Sequence, residues 1–381
     1  MTAKPSETRP GWIRFAQTTA LVAASLLFCA LCIEVVLRVD PELLGSRTAN
    51  QLFSKYGRGP GDIYFEEDST GMLFMHPGFQ TKAYFNGYSW NHATDARGFR
   101  NPPGRPVDGA LLLGDSLIYG HGVEEPESLA SKLESVYRRR VYNLSRQGDS
   151  LYQHYVQLRL HLETFAPESV VLFVFHNDFK DLLAYRGVDL LRTTPEIERD
   201  DYDQLREQLA KRPSDPHSWS RRLRYRSLTY RLFLTMRSRV QRIGSPASAT
   251  SADRTLGSPL NDPETLEVIR RYYDRILGDL ATRSRDVGAR LFVVYLDVYP
   301  TTSPETRSSK ANARELLAAA SRKHAIALHD TDDLLTTCDA CVLVGDGHLS
   351  EEGHLRLAGF VDALLDTRDR THAGRVDAPT L

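Results

Sequence analysis

The sequence predicts an α/β fold, a three-layer α/β/α sandwich around a parallel sheet, with one transmembrane helix ahead of it. Short apolar runs rich in Val, Leu and Ile alternate with longer segments of helical period. The runs carry no polar face, as strands covered on both sides require. A charge-free stretch of nearly bilayer length stands close to the N-terminus.

Residues 1–14, with Lys4, Arg9 and Arg14, read as a cytoplasmic N-terminus. From Phe15 to Ile33 the chain, FAQTTALVAASLLFCALCI, holds no charge, and a membrane anchor is expected over 15–37. Glu34, Arg38, Asp40 and Glu42 follow it, so the positive-inside bias puts the remainder on the periplasmic side of an inner membrane. A cleaved signal peptide is the competing reading. Against it, no clear small-x-small site precedes the charged stretch, and Phe28 and Leu31 are bulky for a lipoprotein site at Cys29 or Cys32.

Residues 40–105 form an aromatic-rich lead-in without strong periodicity, ending in TDARGFRNPPG from Thr94 to Gly104. The sandwich domain is expected over 106–366. Strands are expected at 110–113, 141–144, 170–175, 291–296 and 325–328, and helices at 127–140, 151–165, 263–286, 312–325 and 350–367. Ser350 is a natural N-cap for the last helix.

Residues 185–262 interrupt the alternation as an inserted segment. From His217 to Ile243 it contains Arg221, Arg222, Arg224, Arg226, Arg231, Arg237, Arg239 and Arg242 and no acid. Two readings stand: a helical subdomain with solvated arginines, or a basic amphipathic segment against anionic headgroups near the anchor. GSPASATSADRTLGSPLNDP then reads as a linker, and 367–381 as a flexible tail.

The formal net charge of −1 gives no global attraction to nucleic acid, and no phosphate-binding loop, dinucleotide fingerprint or nucleic-acid module stands out. The chemistry lies in the loops after the apolar runs, where parallel sheets place their sites. An ester-cleaving serine needs a base, a group orienting that base, and donors for an oxyanion. Ser116 follows the first run in LLLGDSLIYG, and Gly148 lies in the turn of NLSRQGDS after the second. Asn177 ends the third in FVFHNDFKD, and Asp346 and His348 stand in VGDGHLSEEGH before the last helix.

In this order the four segments resemble the blocks of the SGNH hydrolases, also called GDSL esterases and lipases. The resemblance covers roughly residues 90–366, and ARGFR at 96–100 and GHGVEE at 120–125 are similar to its membrane-anchored bacterial branch. It implies a flavodoxin-like sandwich with Ser116 as nucleophile, His348 as base and Asp346 orienting it. The oxyanion hole would be the Ser116 and Gly148 N–H groups and the Asn177 amide. Two departures stand out: Asp346-Gly347-His348 is one residue shorter than the commoner Asp-x-x-His, and Phe175-His176 puts bulk where a small residue is usual. His176 reads as a structural hydrogen-bonder.

The resemblance and the anchor together imply a membrane-bound serine esterase removing an acyl group, such as acetyl, from a cell-envelope glycan. No cofactor or metal is expected. The alternatives are an O-acyltransferase on an envelope polysaccharide, a lipid or thioester hydrolase, and a noncatalytic envelope-assembly protein retaining the fold. Cys338 and Cys341, outside the membrane, are expected to staple a loop as a disulfide.

Overall fold

The computed structural model describes residues 11–40, 43, 45–52, 63–211, 223, 227–243, 258–300 and 303–366. The tail at 367–381, most of the linker, and Arg221, Arg222, Arg224 and Arg226 lie outside the described residues. The chain divides into two compact units, residues 1–54 with 216–248, and residues 55–215 with 249–381.

The smaller unit contains helices α1 (Gly11–Val39) and α2 (Ser46–Leu52). The most apolar 18-residue window of α1 has a mean hydropathy of 2.6, and the helix, Trp12–Val39, is long enough to cross a membrane. The arginine-rich segment, read from the sequence as part of an insert, supplies this unit with the helix Leu228–Ile243, which contacts α1. Glu34 of α1 caps that helix, accepting from the Leu228 and Thr229 N–H groups at 3.2 and 2.9 Å and from the Ser227 hydroxyl at 3.0 Å. A carboxylate at a helix N-terminus satisfies orphan donors and opposes the helix dipole.

The larger unit opens with two hairpins where the sequence suggested irregular chain. β1 (Tyr64–Glu67) pairs antiparallel with β2 (Met72–Met75), and β3 (Gln80–Phe85) with β4 (Tyr88–Ala93). Asn86 (φ 46°) and Gly87 (φ 90°) form the second turn, an Asn-Gly pair that tolerates the left-handed conformation at both positions.

The sheet follows. β5 (Ala110–Leu113), β6 (Val141–Asn143), β7 (Ser169–Val174), β8 (Arg290–Tyr295) and β9 (Ala327–Asp330) are all parallel, in the order β6-β5-β7-β8-β9. This is the flavodoxin-like order, whose direction of winding reverses between β5 and β7. Ala110, Leu112, Val171, Phe173, Phe292 and Val294 face one side, packed with residues of the helices Leu129–Ser135 and Glu351–Leu365. The alternate residues Leu111, Val170, Leu172 and Val293 are equally buried, as expected of strands with helices on both faces. Helices Leu151–Phe165 and Pro263–Asp286 match the expected spans. Pro304–His324 begins eight residues before the expected start at 312, because Ser303 caps it and its polar first turns carry no apolar period. The helix expected at 127–140 is shorter, Leu129–Ser135, and is preceded by a 3₁₀ turn at Glu125–Glu127.

Arg100 of the ARGFR motif is buried and donates to the carbonyls of Tyr119, Gly120 and Val123, the last at 2.6 Å. Its guanidinium lies 5.0 Å from the Tyr119 ring centre. One side chain thus satisfies the turn that follows Ser116. Arg100→Met is expected to leave these buried carbonyls unpaired and lower unfolding free energy by ~2–4 kcal/mol, measured by urea titration.

Candidate active site

β5 delivers the first residue of the site. After Leu113 the chain must turn sharply, and a Cβ on Gly114 would lie 2.4 Å from Ile118 Cγ1, so only glycine fits without displacement. Asp115 caps the one-turn helix Ser116–Tyr119, its Oδ1 accepting from Leu117 N at 2.9 Å. Gly120, at φ 84°, ends it. Ser116 is therefore held at a helix start at the carboxyl end of a central strand, 7% exposed.

The loop before the last helix brings the base. Its neck is closed by a bridge between Val342 and Leu349, by Leu343 N donating to His348 O at 2.7 Å, and by the Cys338–Cys341 disulfide just upstream. Gly347 adopts φ 87°, and a Cβ there would lie 2.6 Å from Tyr299 Oη. That left-handed residue folds the short Asp-x-His spacing so that the two side chains meet. Asp346 Oδ1 and His348 Nδ1 are 2.5 Å apart, and His348 Nε2 lies 2.9 Å from Ser116 Oγ. With Nδ1–H donated to the carboxylate, Nε2 is free to accept the serine proton. The structure thus brings together Ser116, His348 and Asp346.

The β3–β4 hairpin steadies this loop. Asn86 Nδ2 donates to Asp346 Oδ2 at 3.1 Å, and Tyr88 Oη donates to Val344 O at 3.0 Å. Neither residue stood out in the sequence, although Asn86-Gly87 carried a legible hairpin signal.

Gly148 lies in the loop after β6 at φ 75°, and Arg146 N of that loop donates to Gly114 O at 3.3 Å. Asn177 precedes the helix Asp178–Leu191, and its Nδ2 lies 3.2 Å from Asp115 Oδ2 and 3.3 Å from Asp181 Oδ2. Ser116 Oγ is 3.5 Å from the same Asp115 oxygen, so Asn177 and the serine flank one carboxylate. His176 is exposed and packs on the Phe175 ring, 4.1 Å between centres, instead of joining the triad.

Four acids gather beneath these groups. Burial raises the carboxyls of Asp115 and Asp178, and the charge of Asp115 pushes Asp178 further. Asp149 is raised to about 7 by burial despite its bond to Arg146, and Asp181 to about 7 by burial and then by the Asp115 charge. His121, Asp346 and His348 also place three metal-ligating atoms within 4.8 Å of one another, but a metal there would break the Asp346–His348 bond. A cavity of about 500 Å³ lined by Phe65, Phe74, Phe99, His161 and Phe165 is a different place. It includes the C-terminal residue of Leu151–Phe165, the end of that helix remote from the Gly148 loop.

No family model and no curated relative matches the chain. Among solved structures it is similar to TesA, at 14% identity and a TM-score of 0.37 over 68% of this chain and 98% of that one. It is similar to the psychrotrophic esterase EstA from Pseudoalteromonas sp., at 14% identity and a TM-score of 0.35 over 68% and 97%. A third is Axe2, an acetylxylan esterase from Geobacillus stearothermophilus, at 12% identity and a TM-score of 0.37 over 68% and 94%. At these values the likeness carries no argument about activity.

The buried acids predict a pH effect of definite sign. Asp181, near 4 when unfolded and about 7 when folded, binds more protons in the folded state between those values. Stability therefore falls as pH rises from about 4 to about 7. Asp181→Asn removes that penalty and is expected to raise Tm by ~2–5 °C at pH 8 and hardly at all at pH 4, by calorimetry.

Proposed function

We propose that this chain is a membrane-anchored serine esterase of the SGNH/GDSL type. It would cleave an acyl ester, such as acetyl, of a cell-envelope glycan on the periplasmic side of the inner membrane. The observation that carries the esterase reading is the continuous relay from Asp346 through His348 to Ser116, at 2.5 and 2.9 Å. The order of the four motifs along the chain supports it. Membrane placement is supported by α1 and by the flanking charges, and the glycan by that location and the sequence resemblance.

Ser116 Oγ attacks the ester carbonyl carbon as His348 Nε2 takes its proton, and Asp346 stabilises the imidazolium. The oxyanion would be received by the N–H groups of Ser116 and Gly148 and by Asn177 Nδ2. Asn177 must release one of its two carboxylate partners to serve, so its amide turns as charge develops. His348 then protonates the leaving alcohol, and the acyl group stays on Ser116. Water, activated by His348, completes hydrolysis; a sugar hydroxyl in the same position would make the protein a transferase. A noncatalytic role is disfavoured because such a role needs no assembled nucleophile and base.

Steady-state turnover of p-nitrophenyl acetate by the full chain tests the reading. Ser116→Ala is expected at background and His348→Ala close to it, while Asn177→Ala should lose on the order of 10²–10³ in kcat. Asp346→Asn should lose heavily by allowing the wrong histidine tautomer. Folded Ser116→Ala with wild-type turnover would overturn the mechanism. For topology, a phosphatase fused after Leu381 is expected to be active in cells; a silent phosphatase with a fluorescent cytoplasmic reporter at the same place would reverse the orientation.

A further inference from the structure

His121 lies in the GHGVEE segment, outside the four segments that supply the candidate site residues, yet it lies against the triad. It is 1% exposed, and its backbone N donates to Ser116 O at 3.1 Å. Gly120 and Gly122, at φ 84° and 83°, fold the turn around it. Its ring stacks on His348, with centres 3.8 Å apart and planes inclined by 21°. Trp90 lies against it at 4.6 Å and Phe85 meets it edge-on at 5.1 Å.

The hydrogen bonds around Gln147, with its amide in this orientation, favour one tautomer of His121. Tyr64 Oη donates to Gln147 Oε1 at 3.3 Å, which leaves Gln147 Nε2 to donate to His121 Nδ1 at 2.6 Å. An amide nitrogen has only protons to offer, so Nδ1 is the acceptor and the proton sits on Nε2. Nε2 is the nitrogen nearest Asp346, 4.0 Å from Oδ1. That is beyond hydrogen-bond range, but it places the positive end of an N–H dipole near the carboxylate.

We propose that His121 is a positioning residue for the relay, held neutral by Gln147. Resting on the esterase reading, the inference assigns it two tasks. Its face stops the His348 ring from tipping away from Ser116, and its π-system lies against the imidazolium that forms when His348 takes the serine proton. A protonated His121 would do the opposite by repelling that imidazolium, and Gln147 prevents it by pointing a donor at the nitrogen that would have to gain the proton. The Gly148 loop and the triad are thereby joined through one amide.

The test uses the full chain in detergent, with p-nitrophenyl acetate kinetics and the downfield proton resonance of the Asp346–His348 hydrogen bond. His121→Ala is expected to lose roughly 10²-fold in kcat with KM unchanged, as ring misplacement does. His121→Phe, restoring the stack, should recover about tenfold of that loss. Gln147→Glu, which can accept a proton from His121, should slow kcat and move the resonance. Wild-type kcat and an unmoved resonance in folded His121→Ala would overturn the proposal, as would equal losses in the Ala and Phe variants. If wild-type protein turns over nothing, the esterase reading fails, and the resonance alone then decides: moved in the variants supports positioning, unmoved refutes it.

Discussion

The arrangement depends on one hydrogen bond, between Asp346 and His348, because it decides which nitrogen of the histidine faces the serine. A serine hydroxyl is a poor nucleophile at neutral pH, and in the proposed mechanism it is the unprotonated Nε2 of His348 that activates it. The 2.5 Å contact at Nδ1 supplies that condition, and the 2.9 Å contact at Nε2 uses it. Were the carboxylate to swing away, the serine would remain in place without a partner.

Much of the surrounding fold can be understood as holding that bond. The loop carrying Asp346 and His348 has little regular structure of its own, so its neck is closed by backbone pairing and a disulfide. Asn86 takes the second oxygen of Asp346, which leaves Oδ1 to His348. Ser116 is fixed by the sheet, since the strand before it is wholly buried and the space beside Gly114 leaves no room for a side chain there. Beneath, burial raises Asp149 and Asp181 to about 7, so the buried acids make the site costlier to keep as pH rises.

The sheet was legible because buried parallel strands are uninterrupted apolar runs, and all five appear within two residues of their expected places. Ser116, Gly148, Asn177, Asp346 and His348 were picked out as loop residues after apolar runs, with roles given by the resemblance; of these the structure hydrogen-bonds Ser116, His348 and Asp346 to one another. The contacts of Asn86 with Asp346 and of His121 with His348 were not legible, because each spans more than two hundred residues of sequence. The first early hairpin was missed for another reason: its four-residue strands show too few alternations to register as a period. The sequence left the arginine-rich helix between a solvated subdomain and a segment near the anchor; its contact with α1, some two hundred residues earlier, comes from the structure.

The central claim is that Ser116, and no other hydroxyl, is the nucleophile. Reacting the full chain with a fluorophosphonate and sequencing its peptides by mass spectrometry tests this most directly. The account predicts one stoichiometric adduct on the peptide containing Leu113-Gly114-Asp115-Ser116, located on Ser116 and lost when His348 is replaced by alanine. A stoichiometric adduct on another serine, or none on the folded protein, would contradict it.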